Sequence, residues 1–141
     1  MATVNFFFWD TKITLTERTK LKAFVKRLFV RENRTLETLN YIFCSDEQLL
    51  EINKQYLQHD YYTDIITFDL SESPTSIIGD IYISADRIKE NAVSHSNTVK
   101  KELHRVIFHG ALHLCGYKDK KPADKKLMQQ SEDKYLSLYF S

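Results

Sequence analysis

His109-Gly-Ala-Leu-His113-Leu-Cys-Gly116-Tyr-Lys-Asp119 closes the most apolar helical pattern in the chain. Upstream of it, Val99, Leu103, Val106, Ile107, Gly110 and Leu114 fall within a stripe roughly 100° wide at helical spacing, which predicts a central helix capped by Asn97 or Thr98. His109 and His113 lie at the edge of that stripe. Positions four apart differ by about 40° around a helix and stand about 6 Å apart along it, so the two imidazoles can grip one ion. Gly116 is placed to end the helix, because glycine enters the left-handed helix stop without a Cβ penalty. The chain then turns back, and Asp119 can swing toward both histidines. Two imidazoles and one carboxylate oxygen suit a catalytic zinc that keeps a fourth position for water, whereas a closed structural site wants a fourth protein ligand.

The same residues have a plainer reading. Paired histidines on a half-buried helix face are ordinary packing residues, and an aspartate after a glycine stop is ordinary loop chemistry. The joint spacing of histidine pair, glycine and a third ligand type favours the metal. Cys115, beside the glycine stop, reads as a packed thiol, and Gly110 allows another backbone to come close or relieves crowding against a sheet, two compatible roles. His104 lies about 180° around the helix from His113 and about 140° from His109, so it reads as a surface histidine.

Working outward, Val4 to Trp9 reads as a first strand, aromatic and β-branched. Leu21, Phe24, Val25, Leu28 and Phe29 recur at helical spacing with charges between them, as in an amphipathic helix covering a sheet. Thr38 to Cys44 is a second strand, and Ser45-Asp-Glu-Gln48 is a capping box before a helix carrying Leu49, Leu50, Ile52 and Asn53. Tyr61 to Phe68 reads as loop then strand, the polar stretch Ser71 to Ser76 as a turn, and Ile77 to Ser84 as a further strand. Asp86 to Ser94 gives a short helix, and Lys121 to Tyr139, with Pro122 near its start, a terminal one. The fold class is therefore α+β, with a small mixed central sheet of about four strands, about five helices, and the candidate metal site at the C-terminal end of the central helix.

At 141 residues, residues 1–141 make one domain able to bury about two-thirds of the unfolded surface. Three glycines and two prolines leave little room for linkers. A formal charge of +1 and a pI near 7.8 lack the signature of a protein held on nucleic acid by bulk charge, so any such contact needs a local patch. Only Cys44 and Cys115 occur, which argues against a secreted disulfide framework. With no basic leader and no run approaching the roughly 20 apolar residues of a membrane span, the expectation is a soluble cytoplasmic monomer.

His-x-x-x-His-x-x-Gly-x-x-ligand is also the skeleton of extended zinc proteases, whose glutamate base follows the first histidine. Here that position is Gly110, so peptide hydrolysis is second to phosphodiester hydrolysis, which zinc also supports.

Three stretches then carry a family resemblance: HGALHLCGYKD at 109–119, Tyr-Thr-Asp-Ile-Ile-Thr-Phe at 62–68, and Gly-Asp-Ile-Tyr-Ile-Ser at 79–84. In order and spacing they match the HGxLHLxGYDH, TDVLSF and GDIxIS segments of the YbeY family of bacterial endoribonucleases, which the whole chain resembles. The resemblance implies one zinc per chain, cleavage of single-stranded RNA, and a role in maturing the 3′ end of small-subunit ribosomal RNA and in ribosome quality control. It also implies that Asp119 stands where the family has its third histidine ligand, Lys118 where it has an aspartate, and Leu57 where it tends to carry an arginine. If that arginine steadies phosphate, another cation must substitute.

Lys118, Lys120, Lys121 and Arg105 are the candidate RNA-binding cations near the metal stretch, although such a run is also how a solvated face looks. Tyr61, Tyr62 and Tyr117 are candidate base-stacking rings, or core and rim residues. Asp64 and Asp80 are candidate acid/base residues, or hydrogen-bonding residues of turns and strand ends. A ribosome-assembly binding protein with a structural zinc and little catalysis is the alternative from a different class.

Overall fold

In the computed structural model, which describes residues 1–141, the elements run β1 (Thr3–Phe8), α1 (Arg18–Arg31), β2 (Leu36–Cys44), α2 (Asp46–Leu57), β3 (Ile65–Asp69), β4 (Ile77–Ser84), α3 (Ala85–Ser94), α4 (Val99–Leu114) and α5 (Pro122–Tyr139). The four strands form one sheet in the order β1-β2-β4-β3. β1 and β4 pair with β2 in parallel and β3 pairs with β4 antiparallel, so the expected mixed sheet is what forms. Parallel neighbours need helical crossovers, which α1 and α2 supply, whereas the polar turn at 71–76 closes the antiparallel pair. No helix is long and apolar enough to cross a membrane.

Strand alternation decides what each sheet face meets. Leu39, Tyr41 and Phe43 of β2 and Ile81 and Ile83 of β4 are fully buried in the main core beneath α1 and α4. The Tyr41 hydroxyl donates to the Ile107 carbonyl at 2.7 Å, joining sheet to α4. On the opposite face, Leu49 and Ile52 of α2 pack with Cys44 and Ile66 in a smaller cluster. A Cβ on Gly110 would stand 2.7 Å from Ile81 Cδ1 and 3.1 Å from Ile65 Cδ1, so this glycine relieves crowding by strand side chains rather than admitting a backbone.

The caps follow the sequence. Ser45 and Gln48 form the capping box of α2, and the Thr98 side chain accepts from Lys101 N–H at the start of α4. His104 corrects its expectation: it is 1 % exposed, stacked on Tyr139 at 5.0 Å between ring centroids, with its Nδ1–H donating to the Lys100 carbonyl. It does stand on the side of α4 away from the paired histidines, but the end of α5 lies over that side and replaces solvent with Tyr139 and Phe140.

Candidate metal centre

α4 ends in a glycine stop at the intended residue. Gly116 has φ +105°, its N–H donates to the His113 carbonyl, and the Tyr117 N–H donates to the Leu112 carbonyl, the two bonds that satisfy the last open carbonyls of a helix. The turn is tied from outside by the Tyr117 hydroxyl, which donates to Glu32 at 2.7 Å. From it Asp119 reaches back, placing Oδ2 3.3 Å from His109 Nε2 and 3.2 Å from His113 Nε2. All three donor atoms lie within 4.8 Å of one another.

The far sides of both imidazoles are spoken for. The His113 Nδ1–H donates to the Tyr117 carbonyl at 2.9 Å, and the His109 Nδ1–H to Glu132 Oε2 at 2.5 Å. With Nδ1 carrying the proton, each neutral ring turns the Nε2 lone pair toward the same carboxylate. Two lone pairs and an anion facing one point are mutually repulsive without positive charge among them, so the donor chemistry fits a cation. Burial pulls the His109 pKa down, but the hydrogen bond and charge of Glu132, helped by Asp119 and Asp64, outweigh it and hold the group above its ordinary value. Glu132, only 7 % exposed, is itself held by Arg105 Nη1 at 2.9 Å, while Arg105 Nη2 binds Asp133.

The donors open into a cleft of about 790 Å³. Asp64, Arg105, Lys120 and Tyr61 line it, as does Leu57; Lys118, Lys121 and Asp80 do not. Burial raises the Asp64 carboxyl above its ordinary pKa, against the opposing charge of His109, and Asn91 Nδ2 stands 3.5 Å from Asp64 Oδ2. Asp80 lies elsewhere: on β4 its neighbours Gly79 and Ile81 face α4, so Asp80 points to the other face, where Asn40 Nδ2 donates to it at 3.1 Å, as in its plainer reading as a strand hydrogen-bonder. Arg105 reaches the cleft with its charge already paired. Of the tyrosines, Tyr61 stacks on His59 at the cleft, Tyr62 donates to Glu47, and Tyr117 is bound to Glu32. Cys115 is a packed thiol in the main core, its pKa pushed up to about 12 by burial.

Glu132 was missed by sequence reasoning, although a signal existed. It falls on the stripe Met128, Glu132, Tyr135, Tyr139, which is the buried face of α5. A carboxylate on the core-facing stripe of an amphipathic helix calls for a partner, and His109 with Arg105 are its partners.

Comparison with known proteins extends the likeness over nearly the whole chain. A family model described as "Endoribonuclease YbeY" matches residues 8–139. An endoribonuclease YbeY of Cytophaga hutchinsonii is 52% identical over 136 residues, covering 96% of this chain and 95% of the relative. One of Parabacteroides distasonis is 40% identical over 135 residues, covering 96% and 94%. The solution structure of a Thermotoga maritima protein superposes with a TM-score of 0.67 at 28% identity, covering 97% of this chain and 89% of that one. A four-stranded mixed sheet with five helices, carrying a donor triad at the end of its central helix, thus belongs to the endoribonuclease YbeY family.

Proposed function

We propose that this protein is a zinc-dependent endoribonuclease that hydrolyses phosphodiester bonds of single-stranded RNA, with ribosomal RNA, at the 3′ end of the small-subunit species, as its substrate. The observation that carries the reading is the convergence of His109 Nε2, His113 Nε2 and Asp119 Oδ2 at an open cleft, in a chain whose relatives are named endoribonucleases. Three nitrogen and oxygen donors match the ligand count of a catalytic zinc. A bound zinc supplies Lewis acidity, acidifying water and drawing charge from a phosphoryl oxygen.

The chain's own residues do the rest. Glu132 fixes the orientation and tautomer of His109, and the Tyr117 carbonyl does so for His113. Arg105 acts through Glu132 and is a positioning residue rather than a phosphate clamp. Asp64, in the same cleft with a carboxyl that burial makes more basic, is suited to take a proton from the attacking water. Lys120 supplies cleft charge toward phosphate. Gly110 stands where a zinc peptidase carries its glutamate base, which argues against peptide substrates.

Metal content and RNA cleavage measured on the same preparations test this. About one zinc per chain is expected, most of it lost in His109→Ala and His113→Ala, weakened in Asp119→Asn and retained in Asp119→His. Single-stranded RNA is cut internally and a chelator stops it, while unfolded protein substrates stay intact. Unchanged metal in both histidine variants, or chelator-sensitive proteolysis, would overturn the reading.

A further inference from the structure

Seven of the chain's 20 basic residues but one of its 19 acidic residues lie between positions 18 and 34, a local formal charge of +6. The other 13 basic and 18 acidic residues carry −5, so a chain of net charge +1 is strongly polarised. Six of the seven cations, Arg18, Lys20, Lys22, Lys26, Arg27 and Arg31, are on α1, whose opposite face of Leu21, Val25, Leu28 and Phe29 is buried in the core. The one acid, Glu32, turns inward and accepts from the hydroxyls of Tyr117 and Tyr135, so it does not neutralise the stripe.

The lysine and arginine ion pairs of the protein are made by Lys54, Arg87 and Arg105, and none by these seven. Rings and a carbonyl position three of them instead. The Arg18 guanidinium lies 4.7 Å over Phe8 while its Nε donates to the Leu15 carbonyl, Lys20 Nζ lies 4.5 Å over Tyr139, and Lys22 Nζ lies 5.9 Å over Phe6. Such contacts fix a cation without cancelling its charge. Lys20, Arg27 and Arg31 also line a groove of about 330 Å³ shared with Tyr135 and Tyr139 of α5.

We infer that the outward face of α1 is a docking surface for the phosphate backbone of RNA, gripping the substrate away from the candidate metal centre. This rests on the proposed RNA substrate and adds where the chain holds it. From Arg18 to Arg31 the helix advances about 20 Å, enough to follow several successive phosphates. Arg34 continues the stripe to the turn that delivers Asp119, its Nη2 lying 3.3 Å from the point where a side chain on Gly116 would begin. The lysines after Gly116, by contrast, are interleaved with Asp119 and Asp124, and Lys120 shares its cleft with Asp64, Asp119 and Glu132, so that stretch carries less net positive charge than α1. An anionic membrane is the lesser fit, because the apolar face of α1 is already used in the core and has nothing to insert.

The test is the salt dependence of binding by the full chain to a single-stranded RNA of about 30 nucleotides, in chelator so that no cleavage intervenes. The variant is Lys20→Gln, Arg27→Gln and Arg31→Gln together, all exposed positions. Losing three phosphate contacts lowers the slope of log K against log salt by about 2 and weakens binding on the order of tenfold to a hundredfold at 0.1 M salt. Circular dichroism and zinc content match the wild type. A folded triple variant with wild-type slope and affinity overturns the inference, as does one that keeps RNA binding but loses binding to phosphatidylserine vesicles. Wild-type protein that never cuts RNA, with the slope still falling in the variant, would remove the nuclease reading and uphold the docking surface.

Discussion

His104 and His109, five residues apart on α4, are driven in opposite directions by their surroundings. For both, burial disfavours the imidazolium, but His109 has Glu132, Asp119 and Asp64 to favour it, whereas His104 has the Lys100 carbonyl at Nδ1 and no partner for Nε2. The folded His104 pKa is therefore lowered from its ordinary 6.5. As pH falls below about 6.5 the unfolded chain takes up this proton first, so stability is full above that pH and is lost as pH falls toward the lowered folded value. His104→Phe keeps the ring contacts with Tyr139 and removes the titration. Urea midpoints between pH 7.5 and 5.5 should fall less steeply in the variant than in the wild type. Equal slopes would mean that His104 protonates freely in the folded chain.

At the scale of elements, the short connection between α4 and α5 decides whether three donors meet. Alanine at Gly116 has to hold φ near +105°, outside the regions an L-residue favours, at a cost of about 1–3 kcal/mol. For a chain of this length that lowers Tm by about 2–4 °C per kcal/mol. Relaxation of the turn would also shift the Tyr117 carbonyl from His113 and Asp119 from both imidazoles, so Gly116→Ala should lose zinc affinity as well. Wild-type Tm and wild-type affinity together would show that the turn is not under this constraint. The stop itself was legible in the sequence, as were the four strands, the five helices and both caps, because each is written in local spacing and side-chain chemistry. What lies across from an element is not written locally. The burial of His104 and the pairing of Glu132 with His109 both depend on α5 folding back against α4, which periodicity cannot specify. Asp80 is different: the alternation of Gly79, Ile81 and Ile83 was in plain view and, followed strictly, puts Asp80 with Tyr82 on the face away from α4.

At the scale of the molecule, the core and the candidate metal centre are separable. The main cluster of 27 buried residues contains none of the three donors, and it joins α1, α4 and α5 to the sheet through apolar contacts and the hydrogen bond from Tyr41 to the Ile107 carbonyl. The turn bearing Asp119 is held by its own helix-stop bonds and by Tyr117 on Glu32, and α5 starts on its own Pro122. None of these needs a cation, so a chelated protein should stay folded. Its far-UV circular dichroism should match the loaded protein, and it should unfold in one cooperative transition. The loaded form should gain about 2.7 kcal/mol at a free zinc level one hundred times Kd, the increment that binding to the folded state alone supplies. A zinc that organises the fold predicts the opposite, a chain that loses its structure with its metal. Collapse of the circular dichroism signal in chelator would therefore favour the assembly factor with a structural zinc over the nuclease, whatever the ligands prove to be.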